Sequence, residues 1–246
     1  MPVFFVPPEC ISQQAVSVTG DVLLHLRDSL RITVGEIVLF GDGVSRRYRT
    51  EISAVTKQAL TGRILETLTQ AEPRAPALRL GQALLKGNKM DWVIQKATEL
   101  GVSEIVPIKS RHSVLQLKAD RVDNQLARWQ RIALEAAQQS EQWRVPTIAP
   151  PRSLAALLTG RATDTVTLML VERWEGKSLQ TVELLQDVTD SVLVLIGPEG
   201  GWSKEEMGIA EQAGIEQVTL GQQILRSETA AIATISILQS RLGQLG

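Results

Sequence analysis

The spacing of apolar positions changes about a third of the way along the chain, which predicts two units of different architecture. Up to residue 72, apolar residues occur in short alternating runs separated by turn residues. The run GEIVLFGDG (35–43) is typical of a strand that ends in a hairpin turn, because Asp42-Gly43 tolerates positive φ. RRYRTEISAV and ALTGRILETL are expected strands, and DVLLHLRDSL an expected helix. These patterns predict a small β-barrel over residues 1–72.

A polar segment with two prolines, TQAEPRAP (69–76), predicts a linker, and strand-like and helical patterns alternate after it. The expected strands are ALRLGQALL, SEIVPI, VPTIAP, TVTLMLVE, SVLVLIG and EQVTLG. The expected helices include NKMDWVIQKATELG, ADRVDNQLARWQRIALEAAQQS and SETAAIATISILQSRL. Such alternation predicts a parallel α/β domain over residues 73–246.

The last expected helix is apolar on nearly all sides, from Ala230 to Leu242. A helix without a polar face has to be buried on both sides. A homodimer interface would supply that burial, and so would enclosure within the fold. The sequence leaves both possibilities open.

Charge and composition narrow the class of protein. The net charge is −1, but residues 73–143 carry 11 basic and 7 acidic side chains, so they could form a basic face for a polyanion or an ordinary solvated surface. Cys10 is the only cysteine, which excludes an intramolecular disulfide and suits a reducing cytoplasm. The longest clean apolar run, 192–196, is too short to cross a membrane. MPVFFVPPEC lacks the features of a signal peptide, so we expect a cytoplasmic protein.

Several common kinds of catalytic site are excluded by the motifs that are missing. His25 and His112 are the only histidines and belong to no Cys or Asp cluster, so we expect no metal site. EGKS (175–178) lacks the upstream glycine of a phosphate-binding P-loop. No G-x-G-x-x-G opens a helix, so the fingerprint of a dinucleotide fold is absent.

Three loops follow the carboxyl ends of expected strands, where ligands bind in open parallel sheets. They are LVERWEG (170–176), GPEGGWS (197–203) and LGQQILRSET (220–229). Ser203 and Glu206 are spaced as a capping box for the next helix, and Ser227 could cap the last one. The carboxylate of Glu199 suits a ribose or a positively charged ligand such as S-adenosylmethionine better than a phosphate. The alternative is that these are ordinary loops with Glu199 in solvent.

The segments GPEGGWSKEE and LGQQILRSETAAI resemble the cofactor-binding end of the SPOUT methyltransferases, whose deep trefoil knot holds S-adenosylmethionine. LLKGNKMDWVIQKATELGVSEIVPIKSRHSV and RWQRIALEAAQQS resemble one branch, the RsmE-type enzymes that methylate N3 of a uridine in small-subunit (16S) ribosomal RNA. The resemblance covers nearly the whole chain. It implies a PUA-like, RNA-binding β-barrel at 1–72, a SPOUT domain with a C-terminal knot at 73–246, and a homodimer.

The resemblance also implies site residues. Arg226 would stabilise negative charge on the target base, and Glu199 or Glu135 would accept the proton of the uridine imide. Cofactor contacts are expected from Val171, Glu172, Ile196, Gly197, Glu199, Gly200, Gly201, Leu220, Gly221, Ile224, Leu225, Arg226, Thr229 and Ala230. Contacts with substrate RNA are expected from His25, Arg27, Arg31, Arg46, Arg47, Lys86, Lys89, Arg111 and Gln139.

Three other functions remain open from the residues alone. The same scaffold could methylate a ribose 2′-hydroxyl, and its product would carry the methyl group on the sugar. A non-catalytic RNA-binding protein would bind RNA without cofactor. A small-molecule α/β enzyme would lack salt-dependent RNA binding.

Overall fold

The computed structural model describes residues 3–71, 76–115, 117–172, 177–183 and 190–245. The chain divides into two compact units. The N-terminal unit comprises Met1–Glu72 with Ala137–Val145, and the C-terminal unit comprises Pro73–Ala136 with Pro146–Gly246. Residues 72–75 of the predicted linker and 173–176 of the first predicted loop lie outside the described residues.

The N-terminal unit is built on a five-stranded sheet in the order β1-β3-β4-β5-β2. Only the β1–β3 pair is parallel. Alternate strand residues such as Val16 and Val18 are buried, so one face of the sheet covers an apolar core around Phe40. The predicted helix forms as a short α1 followed by a π-helical turn at His25–Ser29. The bounds are β1 (Val3–Phe5), β2 (Ala15–Val18), α1 (Gly20–Leu24), β3 (Ile37–Gly41), β4 (Arg46–Val55) and β5 (Leu60–Thr69).

The predicted hairpin between β3 and β4 is confirmed. Gly43 has a φ of +72°, which favours glycine. The Asp42 carboxylate accepts backbone N–H groups of Val44, Ser45 and Arg46 at 2.8, 2.9 and 3.0 Å. Burial would raise the pKa of Asp42, but these hydrogen bonds hold it below its usual range.

The segment Ala137–Val145 belongs to the N-terminal unit, although its sequence position predicts it in the second domain. The Arg47 guanidinium lies 4.0 Å from the ring centroid of Trp143 and donates to the Glu141 carbonyl oxygen at 2.5 Å. Arg144 donates to the carbonyl of Val44 at 2.9 Å. A cation on an aromatic face and hydrogen bonds to backbone therefore hold this segment on the β3–β4 hairpin.

The C-terminal unit contains the predicted parallel sheet, with seven strands in the order β10-β12-β9-β11-β6-β7-β8. Strands β9 and β11 are mostly apolar, as expected of parallel strands that helices cover on both faces. The strands are β6 (Ala77–Ala83), β7 (Glu104–Ile108), β8 (Thr147–Ile148), β9 (Thr165–Leu170), β10 (Lys177–Ser178), β11 (Ser191–Ile196) and β12 (Glu216–Thr219). The helices are α2 (Lys89–Glu99), α3 (Val122–Gln139), α4 (Leu154–Thr159), α5 (Lys204–Gln212) and α6 (Ser227–Arg241). The sequence patterns did not predict α4 or β10.

Helix α6 packs against α2 and buries one face, including Ala231, Ile235 and Leu238. Ile232 and Ile237 on its other side are half-buried. The prediction that Ser227 caps this helix is wrong. Arg226 is the N-cap residue, and the Ser227 hydroxyl instead donates to the carbonyl oxygen of Gly197.

Candidate functional site

The loops after β9, β11 and β12 border one cavity of about 470 Å³ in the C-terminal unit. That volume is within the usual range for a small-molecule or cofactor site. Every predicted cofactor residue except Gly221 and Thr229 lines this cavity. The cavity has further lining residues that were not predicted as cofactor contacts, although five of them lie in the three predicted loops: Leu170, Pro198, Trp202, Met207, Gln217, Thr219, Gln223 and Ser227.

The loop between β11 and α5, residues 197–203, is crowded at each of its glycines. A Cβ on Gly197 would lie 3.1 Å from the Trp202 indole nitrogen, and one on Gly200 would lie 3.1 Å from Cβ of His112. Gly201 has a φ of +69°, and its Cβ would lie 3.3 Å from a carboxylate oxygen of Glu172. The glycines therefore let other cavity walls approach the backbone closely.

Two side chains fix this glycine loop, Trp202 from within the loop and His112 from outside it. The Trp202 indole N–H donates to the carbonyl oxygen of Leu170, at the end of β9, at 3.0 Å. Nδ1 of His112 lies 3.2 and 3.0 Å from the carbonyl oxygens of Gly200 and Gly201. Because carbonyl oxygens only accept, Nδ1 must carry the proton. These bonds fix the direction of the loop carbonyls.

The predicted capping box at the start of α5 is confirmed, with Ser203 and Glu206 bonded reciprocally. Glu206 also accepts the backbone N–H of Arg111 at 3.2 Å. Burial would raise the pKa of Glu206, but the hydrogen bonds from Ser203 and Arg111 hold it below its usual range. Glu206 therefore remains a carboxylate and anchors the far end of the glycine loop.

Lys89, at the start of α2, bridges two carboxylates. Its ammonium lies 3.0 Å from Oε1 of Glu199 and 3.4 Å from Oε1 of Glu228, in the first turn of α6. The hydrogen bond from Lys89 to Glu199 is the main cause that raises the Lys89 pKa. Oε2 of Glu228 is buried and has no hydrogen-bond partner in the described part of the chain. The Lys89 ammonium thus links the glycine loop to the first turn of α6 through their carboxylates.

The predicted catalytic residues occupy different surroundings. Arg226 is exposed and lines the cavity, and Glu199 lines it with a side chain that is 25% exposed. Glu135 does not belong to the described lining. Its side chain is 67% exposed on α3 and lies 3.7 Å from Arg131, four residues earlier. Arg226 and Glu199 therefore lie together at the cavity, whereas Glu135 is not among the described residues that line it.

The predicted RNA contacts of the N-terminal unit differ in accessibility. His25, Arg31 and Arg46 are exposed, and Arg31 adopts a φ of +56°. The Arg27 guanidinium is bonded to the Asp28 carboxylate at 2.6 Å. Arg47 is only 9% exposed and is used to hold Ala137–Val145, so direct contact of its guanidinium with phosphate is not supported. Gln139, which ends α3, is exposed.

The predicted RNA contacts of the C-terminal unit lie in the loops around α2 and β7. Lys86 is exposed just before α2, whereas Lys89 is engaged with Glu199 and Glu228. The exposed Arg111 side chain pairs with Glu205 at 2.7 Å. Among the described residues, Lys86 is therefore the one of these three cations that is exposed and not engaged in an ion pair.

The described residues contain no group of three or more His, Cys, Asp or Glu side chains arranged to hold a metal ion. No helix among them has the length and apolar character needed to cross a membrane.

Two domain families match the chain. The sequence profile of an RNA methyltransferase domain matches residues 72–239. The profile of an RNA methyltransferase PUA domain matches residues 18–65. Both units are therefore similar to domains found in RNA methyltransferases.

Individual relatives agree with these matches. The chain is 31% identical to ribosomal RNA small subunit methyltransferase E of Synechocystis sp., covering 95% of this chain and 76% of the relative. The protein of that name from Bacillus subtilis is 28% identical, with 90% and 88% covered. A crystal structure of ribosomal RNA small subunit methyltransferase E from Neisseria gonorrhoeae, bound to S-adenosyl methionine, superposes with a TM-score of 0.87 at 29% identity, covering 98% of each chain.

Proposed function

The chain belongs to the ribosomal RNA small subunit methyltransferase E family, and we propose that it transfers a methyl group from S-adenosylmethionine to N3 of a uridine in 16S ribosomal RNA. The observation that carries the proposal is the cavity at the carboxyl ends of β9, β11 and β12, which the glycine loop and the start of α6 border. A cofactor is bound by the similar Neisseria structure.

The composition of the cavity wall fits S-adenosylmethionine better than a phosphate-bearing cofactor. Glu172 and Glu199 both line it, and two carboxylates repel phosphate. Carboxylates can accept hydrogen bonds from ribose hydroxyls and attract a positively charged sulfonium. Gly197, Gly200 and Gly201 all line the cavity, so their backbone N–H and C=O groups are available for hydrogen bonds with a flat base. When bound, S-adenosylmethionine supplies an electrophilic methyl group.

The roles of individual residues follow from their positions. N3 of uridine attacks a methyl group only as its proton leaves, which requires a proton acceptor. We assign that role to Glu199, because it lines the cavity and Glu135 does not belong to the described lining. We assign to Arg226, which also lines the cavity, the stabilisation of the negative charge that develops on the base carbonyls. The remaining predicted cofactor contacts act mainly through backbone groups and apolar surface.

The domain predicted over residues 1–72, which forms most of the N-terminal unit, is proposed to bind RNA. Its match to an RNA methyltransferase PUA domain supports this role. Exposed Arg31 and Arg46 are its proposed phosphate contacts, since cations that neutralise phosphates supply most sequence-independent affinity. An imide nitrogen in a base pair is hidden, so the target uridine must be unpaired or turned out of its helix.

The family resemblance also supports proposals about the knot, the oligomeric state and the cellular location. The domain predicted over residues 73–246 is proposed to contain the trefoil knot. The protein is proposed to form a homodimer through the half-buried side of α6, since Ile232 and Ile237 would gain apolar burial there. Its proposed location is the cytoplasm, where ribosomal RNA is modified.

The identity of the methylated nucleoside tests the proposal. The protein is incubated with methyl-labelled S-adenosylmethionine and small ribosomal subunits that lack the modification, and the RNA is digested to nucleosides for mass spectrometry. Labelled N3-methyluridine is the expected product. Label on ribose would favour 2′-hydroxyl methylation, and cofactor-independent RNA binding without transfer would favour a non-catalytic protein.

A further inference from the structure

A fully buried amide lies in the centre of the parallel sheet. Gln82 of β6 is 0% exposed, and in the strand register it is opposite Ile196 of β11 and Pro107 of β7. Burying an amide among apolar strands is unfavourable, and the side-chain oxygen of Gln82 has no hydrogen-bond partner in the described part of the chain. Gln82 is therefore expected to perform a task that an apolar strand residue could not.

The hydrogen bonds of Gln82 have only one possible direction. Its side-chain nitrogen lies 3.0 Å from the carbonyl oxygen of Ala83 and 3.0 Å from the hydroxyl of Ser227. Because a carbonyl oxygen can only accept, the amide nitrogen must face Ala83. Its second hydrogen is then donated to the Ser227 hydroxyl.

The Ser227 hydroxyl extends this chain of hydrogen bonds to the glycine loop. Having accepted from Gln82, it donates its own hydrogen to the carbonyl oxygen of Gly197 at 2.5 Å. Ser227 is the first residue of α6, and Gly197 directly follows β11. The bonds Gln82–Ser227–Gly197 therefore connect three separate segments of the C-terminal unit.

The Ser227–Gly197 hydrogen bond, which Gln82 supports through the Ser227 hydroxyl, joins two parts of the cavity wall. Gly197 and Ser227 line the cavity, and Arg226 directly precedes Ser227. Gln82 itself is not part of the lining that the described residues form. Lys89 links the same two segments a second time through Glu199 and Glu228, but these side chains are partly exposed and their attraction is weakened by salt.

We propose that Gln82 is a positioning residue, which sets the separation between the glycine loop and the start of α6 and so preorganises the cavity for S-adenosylmethionine. This inference rests on the proposed function. A binding site is tight when buried hydrogen bonds behind its contact residues hold them in place. Gln82 thus affects cofactor affinity without touching the cofactor.

Calorimetric titration of the full-length protein with S-adenosylmethionine tests the role of Gln82. The variants are Gln82→Leu, Ser227→Ala and the double variant, with Gln82→Met as a more flexible replacement if Gln82→Leu does not fold. Gln239→Leu is the matched control. Gln239 is also a buried amide and lies on α6, but it donates to the carbonyl oxygen of Leu100 at 2.6 Å, which does not belong to the described lining.

The expected result separates positioning from general support of the fold. Losing the Gln82 bond should raise the dissociation constant about three- to tenfold, the usual size of one hydrogen bond. Gln239→Leu should lower the free energy of unfolding and leave that constant unchanged. The effects of Gln82→Leu and Ser227→Ala should be less than additive in the double variant, since both interrupt the same connection.

Three results would overturn the inference. The first is a Gln82 variant that binds the cofactor as tightly as the wild type, and the second is an equal loss of affinity in Gln239→Leu. The third is full additivity of the effects of Gln82→Leu and Ser227→Ala. If the wild-type protein itself bound no S-adenosylmethionine, the proposed function would fail together with the inference.

Discussion

Replacing Gly201 by alanine is expected to weaken both the fold and cofactor binding. Its φ of +69° is a left-handed conformation, which costs an L-residue about 1–2 kcal/mol. Alanine recovers roughly 0.4–1 kcal/mol because it restricts the unfolded chain. The net expectation is a loss of about 1 kcal/mol in the free energy of unfolding. In addition, the new Cβ would lie 3.3 Å from a carboxylate oxygen of Glu172, which then has to move within the cavity wall.

Two other glycines separate backbone strain from this contact. Gly87 has a φ of +62° with nothing within 4 Å of its Cβ position, so Gly87→Ala should cost the strain alone. Gly208 lies within α5 with ordinary helical φ and open space, so Gly208→Ala should stabilise the protein by roughly 0.5–1 kcal/mol. Only Gly201→Ala should lower cofactor affinity.

Urea unfolding gives the three free energies, and calorimetric titration with S-adenosylmethionine gives the affinities. The reasoning is refuted if Gly201→Ala is as stable as Gly208→Ala, because the positive φ then carries no cost. It is also refuted if Gly201→Ala binds the cofactor like the wild type, because the contact with Glu172 would then have no effect on the cavity.

Two other predictions concern charged side chains. The carboxylate of Glu206 stabilises the fold fully above its unfolded pKa of about 4.5, and this stabilisation is lost as the pH falls through its lower folded pKa. Glu206→Gln should therefore be less stable than the wild type near neutral pH and should lose less stability in acid. Urea unfolding at a series of pH values measures both effects. Arg47→Ala should destabilise the N-terminal unit by about 1–3 kcal/mol, because it removes the contact with Trp143 and a hydrogen bond to backbone. Arg46→Ala is the control, because Arg46 is the exposed neighbour of Arg47. It should leave the free energy of unfolding unchanged but reduce the salt dependence of RNA binding by about one phosphate contact. Loss of stability in Arg46→Ala, with loss of salt-dependent binding in Arg47→Ala, would contradict both assignments.

The parts of the fold that the sequence predicted are those with strong local signals. Continuous apolar runs such as SVLVLI predicted buried parallel strands, and Ser203 with Glu206 predicted the start of α5. Helix α4 was missed because the six residues of LAALLT are too few to distinguish a helix from a strand by periodicity. Strand β10 has only two residues, and both are exposed.

Contacts between residues distant in sequence could not be predicted. No sequence signal near Arg47 indicates that it stacks on Trp143. Arg47 was therefore predicted to contact RNA, and the segment Ala137–Val145 was predicted to belong to the second domain. Lys89 was predicted to contact RNA, but its ammonium is paired with the carboxylates of Glu199 and Glu228. The glycine loop and the start of α6 were predicted because both follow the carboxyl ends of expected strands, where ligands bind in parallel sheets. Gln82 was not found, since a polar residue within a strand pattern does not indicate its partner.

The central claim is that the cavity at the ends of β9, β11 and β12 holds the methyl donor. A crystal structure of this protein with S-adenosylmethionine tests the claim most directly. The account predicts the cofactor between the glycine loop and the start of α6, with its methyl group facing Arg226 and Glu199. Cofactor bound at another place on the chain, or a cavity that remains empty at saturating cofactor, would contradict it.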